Sequence, residues 1–283
     1  MEQREIRFQK VRDLGQIMSD SFDFIKQEFR PLSRVILLYV LPFIILYAGA
    51  QVYFQRNVLV HFDLSNPDSI RSNIGPFYMN FFIFIFFGLF IQSLLAGTYF
   101  TYVEAYIKQG KSKFEIADIS GHFFHNSLLA FTSSLVFTFI AFLGAMFFIL
   151  PGIYFANSLS LMVFITVFHK RGIGHALSFS WRLVRTQWWN TFLINLLGLL
   201  IVYAVGLVFS LPATLMGVAG GIAAAASENP LTYPNWYWAL IAISSAVTSV
   251  LLIIPLTFQV FQYFNLEERI KPKKEPQSPD IPV

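Results

Sequence analysis

The chain has 283 residues, of which 55% are hydrophobic and only 13% charged, with a mean hydropathy of +0.58 and a formal charge of +4. A soluble domain carries about 25% charged residues, so the surplus apolar surface needs lipid, and the basic excess flanking apolar runs points to anionic headgroups rather than nucleic acid. The absence of cysteine excludes disulfides, thiolate metal sites and a Cys nucleophile.

In chain order, residues 1–10 read as a tail, and the first 34 residues mix seven basic with six acidic side chains, which predicts no cleavable signal peptide. Val11, Leu14, Met18, Phe22, Ile25 and Phe29 then recur at three and four residues, with Arg12, Asp13, Asp20, Asp23, Lys26 and Glu28 between them. That pattern predicts an interfacial amphipathic helix over about 11–30. Crossing ~30 Å of hydrocarbon takes about 20 apolar residues at ~1.5 Å rise. Six segments approach this length, at about 35–54, 77–103, 127–150, 152–168, 191–212 and 236–263. The third and fourth form one apolar run broken only by Pro151-Gly152, where a sharp reversal is expected. Further interfacial helices are predicted over about 113–124, with Ile116, Ile119 and Phe123 on one face, and over about 173–188, with Ile173, Leu177, Val184 and Trp188. The small-residue stretch 215–227 is too short to span, and reads either as re-entrant or as a helix capping the bundle. The Pro-rich basic segment 269–283 reads as a disordered tail.

Eighteen of the twenty Lys and Arg residues fall on one side of this alternation, leaving only Arg56 and Arg71 on the other. The positive-inside rule therefore predicts a polytopic all-α protein of 11–268 with six transmembrane helices and both termini cytoplasmic. Laying 11–30 over 173–188 without a gap pairs Gly15 with Gly174, Ser19 with Ser178, Ser21 with Ser180, Phe22 with Trp181, Lys26 with Arg185 and Phe29 with Trp188. Three units follow, each an interfacial helix and a two-span hairpin, with sequence support for the first and third. The competing account is that any helix lying on a membrane acquires similar spacing.

Chemistry-bearing patterns are scarce. Glu104 is the one acidic residue near a span interior, either a cavity-facing carboxylate or an interfacial partner of Lys108. His122, His125, His169 and His175 lack an HExxH or carboxylate pair, no GxSxG marks a nucleophile elbow, and no phosphate-cradling loop is present. No catalytic residue, metal ligand or cofactor site is therefore assigned. Asn80, Gln92, Asn157, Asn195 and Gln259 lie inside spans, where they either bond between helices or line a cavity.

The stretch 149–192, from Pro-Gly-Ile-Tyr through His-Lys-Arg-Gly-Ile-Gly and Ala-Leu-Ser-Phe-Ser to Gln-Trp-Trp, resembles a block recurring in bacterial inner-membrane proteins, and 14–42 looks like the start of the same domain. These are the YciC-like proteins and the glycerophosphoryl diester phosphodiesterase membrane-domain family. The resemblance covers about 10–268 and implies a helical module of the bacterial inner membrane; the catalytic domain of the family's namesakes has no counterpart here. The leading expectation is a non-enzymatic accessory protein in envelope maintenance, binding anionic lipid or another protein through Lys26, Arg30, Arg34, Lys170, Arg171, Trp181, Arg182, Arg185, Trp188 and Trp189. The alternative is a transporter or exporter of a lipid-like or neutral amphipathic solute, marked by a cavity lined by Asn157, Asn195 or Gln259. An enzyme acting on lipid headgroups would need Glu104 clustered with His122 and His169.

Overall fold

A computed structural model of the chain describes residues 6–59, 67–110, 116–227 and 233–271, and among them helices occur without any strand. The helices are α1 (Leu14–Tyr39), α2 (Leu41–Phe54, prolonged by a π-helical turn Gln55–Leu59), α3 (Pro67–Gln109), α4 (Ile116–Phe147) and α5 (Ile149–Ser158). They continue with α6 (Met162–His169), α7 (Ile173–Thr186), α8 (Trp188–Ser227), α9 (Asn235–Leu251) and α10 (Ile253–Ile270). Five stretches are long and apolar enough to cross a membrane: Ile70–Gln109, Ser120–Phe147, Ile149–His169, Trp188–Ile222 and Asn235–Ile270. A sixth is obtained if α1 and α2, bent by 59°, count as one span. Hydrocarbon offers no partner to a bare N–H or C=O, so apolar runs of this length close their backbone bonds internally as helices.

Several boundaries depart from the sequence reading. Asp13 caps α1 by accepting from the Gln16 amide while the Gln16 side chain accepts from the Asp13 N–H, but α1 then runs on to Tyr39, well into the expected first span. The bend comes at Val40, because Pro42 has no N–H to continue the ladder. The buried face of α1 is Ile17, Ser21, Phe24, Glu28, Leu32 and Val35. Phe22 and Phe29 of the expected apolar face are exposed. Residues 6–10 are not a free tail: Phe8 is buried among Phe24, Tyr106, Phe261 and Phe264. The rest of the 1–10 expectation, residues 1–5, lies outside the described residues, as do 113–115 and 272–283 of the expected middle interfacial helix and tail. What is described of 113–124 is no separate element but the first turns of α4.

The reversal between α4 and α5 occurs at Phe148, in extended backbone (φ −163°, ψ 152°), and not at Pro151-Gly152. Pro151 sits in the first turn of α5, where no N–H is needed. Gly152 allows close approach instead, since a Cβ there would lie 2.8 Å from the Ala145 Cα. The expected fourth span is broken into α5 and α6 at 159–161. Residues 215–227 form neither a re-entrant loop nor a separate cap: α8 continues unbroken through them. Gly217 and Gly220 leave room for the stacked Tyr237 and Tyr233 rings at the start of α9.

The overlay of 11–30 on 173–188 holds in the burial pattern. At the same offset Ile17 and Ala176, Ser21 and Ser180, Phe24 and Leu183, Leu32 and Thr191, and Val35 and Ile194 are all buried, and the N-caps Asp13 and Gly172 coincide. The densest packing lies where α1, α3, α6 and α10 meet. Tyr99, Tyr102, Phe100, Phe164, Phe258, Phe261 and Tyr263 are essentially inaccessible there. We term this the basic end. Burial is sparser away from it, and most of α8 from Tyr203 to Ile222 is exposed.

Candidate functional site: a polar crevice between the helices

Three of the polar residues singled out inside spans converge. The Asn195 amide donates to Asn157 Oδ1 at 3.0 Å, the Gln259 amide to Asn195 Oδ1 at 3.3 Å, and the Asn157 amide to the Trp188 carbonyl at 3.1 Å. Asn157 ends α5, Asn195 lies two turns into α8 and Gln259 lies beyond Pro255 on α10, so α5, α8 and α10 are joined. Further along α10, Gln262 donates to Thr191 Oγ1 (2.8 Å) and Asn265 to Gln262 Oε1 (3.0 Å). Asn265 in turn accepts from the Arg12 backbone N–H and from Arg269, extending a polar ladder to the basic end. Interhelical bonds of this kind contribute about 0.6 kcal/mol each, so the ladder orders these helices more than it stabilises them.

The network forms one wall of a chamber of about 460 Å³ that also meets Gln92 and Ser134. A second chamber, of about 730 Å³, lies between α2 and the α8–α9 pair. Gln92, Leu199 and Leu252 line both, so the two chambers adjoin. Among the described residues neither lining includes Lys, Arg, His, Asp or Glu. A charged group would enter this space without a counter-charge, at a cost of several kcal/mol.

The other candidates divide into free and engaged groups. Lys26, Arg30 and Arg34 are exposed, one turn apart along α1, and Arg171, Arg182, Arg185 and Trp189 are exposed on and around α7. Trp181, Arg182, Arg185 and Thr186 frame a shallow hollow of about 400 Å³. Trp188 is half-buried: its ring stacks on Phe192 and Tyr154 and its indole N–H donates to Ser158 Oγ at 3.2 Å. Trp181 packs on Tyr154 and Phe155. Lys170, at a left-handed φ of 55° where α6 stops, reaches Glu104 at 3.3 Å while Lys108 reaches it at 2.6 Å. Glu104 is thus a buried, doubly paired carboxylate that lines neither chamber. His169 is engaged with the Tyr263 hydroxyl at 2.7 Å, and His122 and His125 are exposed on α4. Among the described residues no three His, Asp or Glu gather as metal ligands.

Two buried charges escaped the sequence reading. Arg12 is 2% exposed; it donates to Asp20 at 2.7 Å and to the carbonyls of Phe8 (2.6 Å), Lys10 (3.1 Å) and Arg7, and lies over the Phe261 ring. Glu28 is also 2% exposed and accepts from the Tyr102 hydroxyl at 2.6 Å. Glu28 falls on the polar stripe of α1 and Arg12 just before its N-cap, where nothing in the spacing distinguishes them from solvated residues. Gln51 and Gln55, which face the larger chamber, carry a faint signal: two amides one helical turn apart at the end of the first span.

No protein-family model, curated protein or solved structure matches this chain.

Proposed function

We propose that this is a protein of the bacterial inner membrane that binds a membrane-dissolved amphipathic molecule in the crevice and passes it between the two halves of the bilayer. Its basic end would face the cytoplasm, with both termini there, and anionic lipid would hold that end at the interface. The observation that carries this reading is the pair of adjoining chambers, which share Gln92, Leu199 and Leu252 and, among the described residues, have no charged lining group. Neutral amides and hydroxyls between apolar helix faces suit a solute with an uncharged polar head and an apolar body. Of the functions expected from the sequence, the transporter or exporter is therefore preferred, acting without catalytic chemistry of its own. The Pro151-Gly152-Ile153-Tyr154 and Gln187-Trp188-Trp189 motifs support placing the chain with the YciC-like proteins.

The test is photo-crosslinking of diazirine-labelled diacylglycerol to the protein in nanodiscs, followed by peptide mapping, with lipid exchange between leaflets measured in proteoliposomes. Labelled peptides from α5, α8 and α10 are expected, reduced several-fold by Asn195→Leu with Gln259→Leu. Labelling confined to the outer surfaces of α8 and α9 would sink the reading.

A second reading, an accessory module that docks on anionic lipid, is favoured by one observation. Lys26, Arg30, Arg34, Arg182 and Arg185 are all exposed, on the two helices whose burial repeats in register. Charge reversal of Arg182 and Arg185 would abolish binding to anionic vesicles under it, and leave crevice labelling intact.

A further inference from the structure

The larger chamber contains polar groups that have no work in holding the fold. Ser210, Ser244 and Ser249 bond to helix carbonyls, as hydroxyls in apolar helices ordinarily do. Gln51 and Gln55 of α2, Gln92 of α3, and Ser245 and Thr248 of α9 make no side-chain hydrogen bond among the described residues, and all five line this chamber. Ser245 lies beside Ser244, which does bond, so the difference follows from direction: Ser244 meets the Phe209 carbonyl, whereas Ser245 meets the open space. Accessible from the chamber and not sealed in the protein, these three amides and two hydroxyls are free to bond a partner from outside the chain.

The chemistry of that partner is constrained. The lining holds no charge among the described residues, which disfavours a phosphate or carboxylate. Amides and hydroxyls each both donate and accept, which matches a group that itself alternates the two roles, namely a polyol. The volume of about 730 Å³ exceeds what one water would need and lies in the range of small-molecule sites. Leu199, Val202 and Leu252 line the apolar side toward the smaller chamber, where an acyl chain can continue.

We propose that the chamber between α2 and α8–α9 is the headgroup site for a neutral, hydroxyl-rich lipid such as a glycosylated diacylglycerol. This rests on the crevice-binding reading above. Gln51, Gln55 and Thr248 select the head, while Asn157, Asn195 and Gln259, in the adjoining chamber, meet the glycerol and ester groups.

The experiment measures binding of three lipids with matched acyl chains, monoglucosyl-diacylglycerol, phosphatidylglycerol and diacylglycerol, to the full chain in nanodiscs by native mass spectrometry. The glucosyl lipid is expected to bind at least about 10-fold tighter than phosphatidylglycerol. The double variant Gln51→Leu with Thr248→Val is expected to weaken it about 10- to 30-fold, from two lost hydrogen bonds, without changing diacylglycerol binding. The melting temperature of the empty variant should equal or exceed that of the parent, because no internal bond is removed; a fall would mean that these groups hold the fold and would overturn the proposal. Equal affinity for phosphatidylglycerol, or an unaltered glucosyl affinity in the variant, overturns it too. If diacylglycerol still binds and is lost with Asn195→Leu, the crevice reading survives that failure; if none of the three lipids binds, both fall.

Discussion

Replacing Arg12 by Gln should release the N-terminal strap from the bundle. The guanidinium serves the carbonyls of Phe8, Lys10 and Arg7 together with Asp20, and lies 4.9 Å from the centre of the Phe261 ring. Asp20 is 34% exposed, so water can take over its charge and the ion pair itself contributes at most about 1 kcal/mol. The Phe8 carbonyl is buried, and orphaning it costs about 1–3 kcal/mol. Losing the ring contact adds about 1 kcal/mol. The contributions total roughly 2–5 kcal/mol, a range that includes the ~2.8 kcal/mol of a hundredfold change at about 1.4 kcal/mol per tenfold. The assay is limited trypsin digestion, because cleavage after Arg7 and Lys10 requires the strap to lift. Under conditions where closing outpaces cleavage, the rate follows the open population and should rise about 100-fold. Arg12→Lys, which keeps the charge but loses the fork, should fall between. Cleavage of Arg12→Gln at the parental rate, with an unchanged unfolding midpoint, would show that Phe8 and its aromatic neighbours hold the strap unaided and that the reasoning about Arg12 is mistaken.

Gly97→Ala places a Cβ 2.5 Å from the Ser127 Cα, against backbone that cannot step aside, so α3 and α4 must separate and the Asn126–Thr101 bond lengthens. A loss of about 1–3 kcal/mol in denaturant unfolding is expected, whereas Gly49→Ala, with nothing within 4 Å, should gain up to about 1 kcal/mol from helix propensity. Phe148→Arg tests where the α4–α5 tip lies: Phe147, Phe148, Ile149 and Leu150 are 75–78% exposed with no polar residue among them. In hydrocarbon the charge costs up to about 2.5–3.5 kcal/mol and membrane yield should drop relative to Phe148→Leu; equal yields would put the tip in water.

Hydropathy and charge alone decide that this chain is helical, where its long apolar runs lie, and which gaps carry the basic residues. They suffice because in lipid the backbone closes its bonds either within a helix or around a barrel, and continuous apolar runs of about 20 residues fit only the helix, so each run can be judged by its own length. The similarity between 11–30 and 173–188 was legible for the same reason, since helical spacing is a local property. What the chain could not disclose depends on contacts between distant segments. Asn157, Asn195 and Gln259 were visible as polar residues in spans, but their bonds join positions 38 and 64 apart, and only the crossing of α5, α8 and α10 turns them into one wall. Which residues of α1 turn into protein was likewise hidden: Ser21 and Glu28 are buried while Phe22 and Phe29 are exposed, because hydrophobicity cannot tell an apolar neighbour in lipid from one in the core. Arg12 went unnoticed because its partners are mainly backbone carbonyls, which carry no sequence signature. The reversal at Phe148 rather than at Pro151-Gly152 follows from tertiary packing, which uses Gly152 to let two helices touch and leaves the turn to residues with no turn signal of their own.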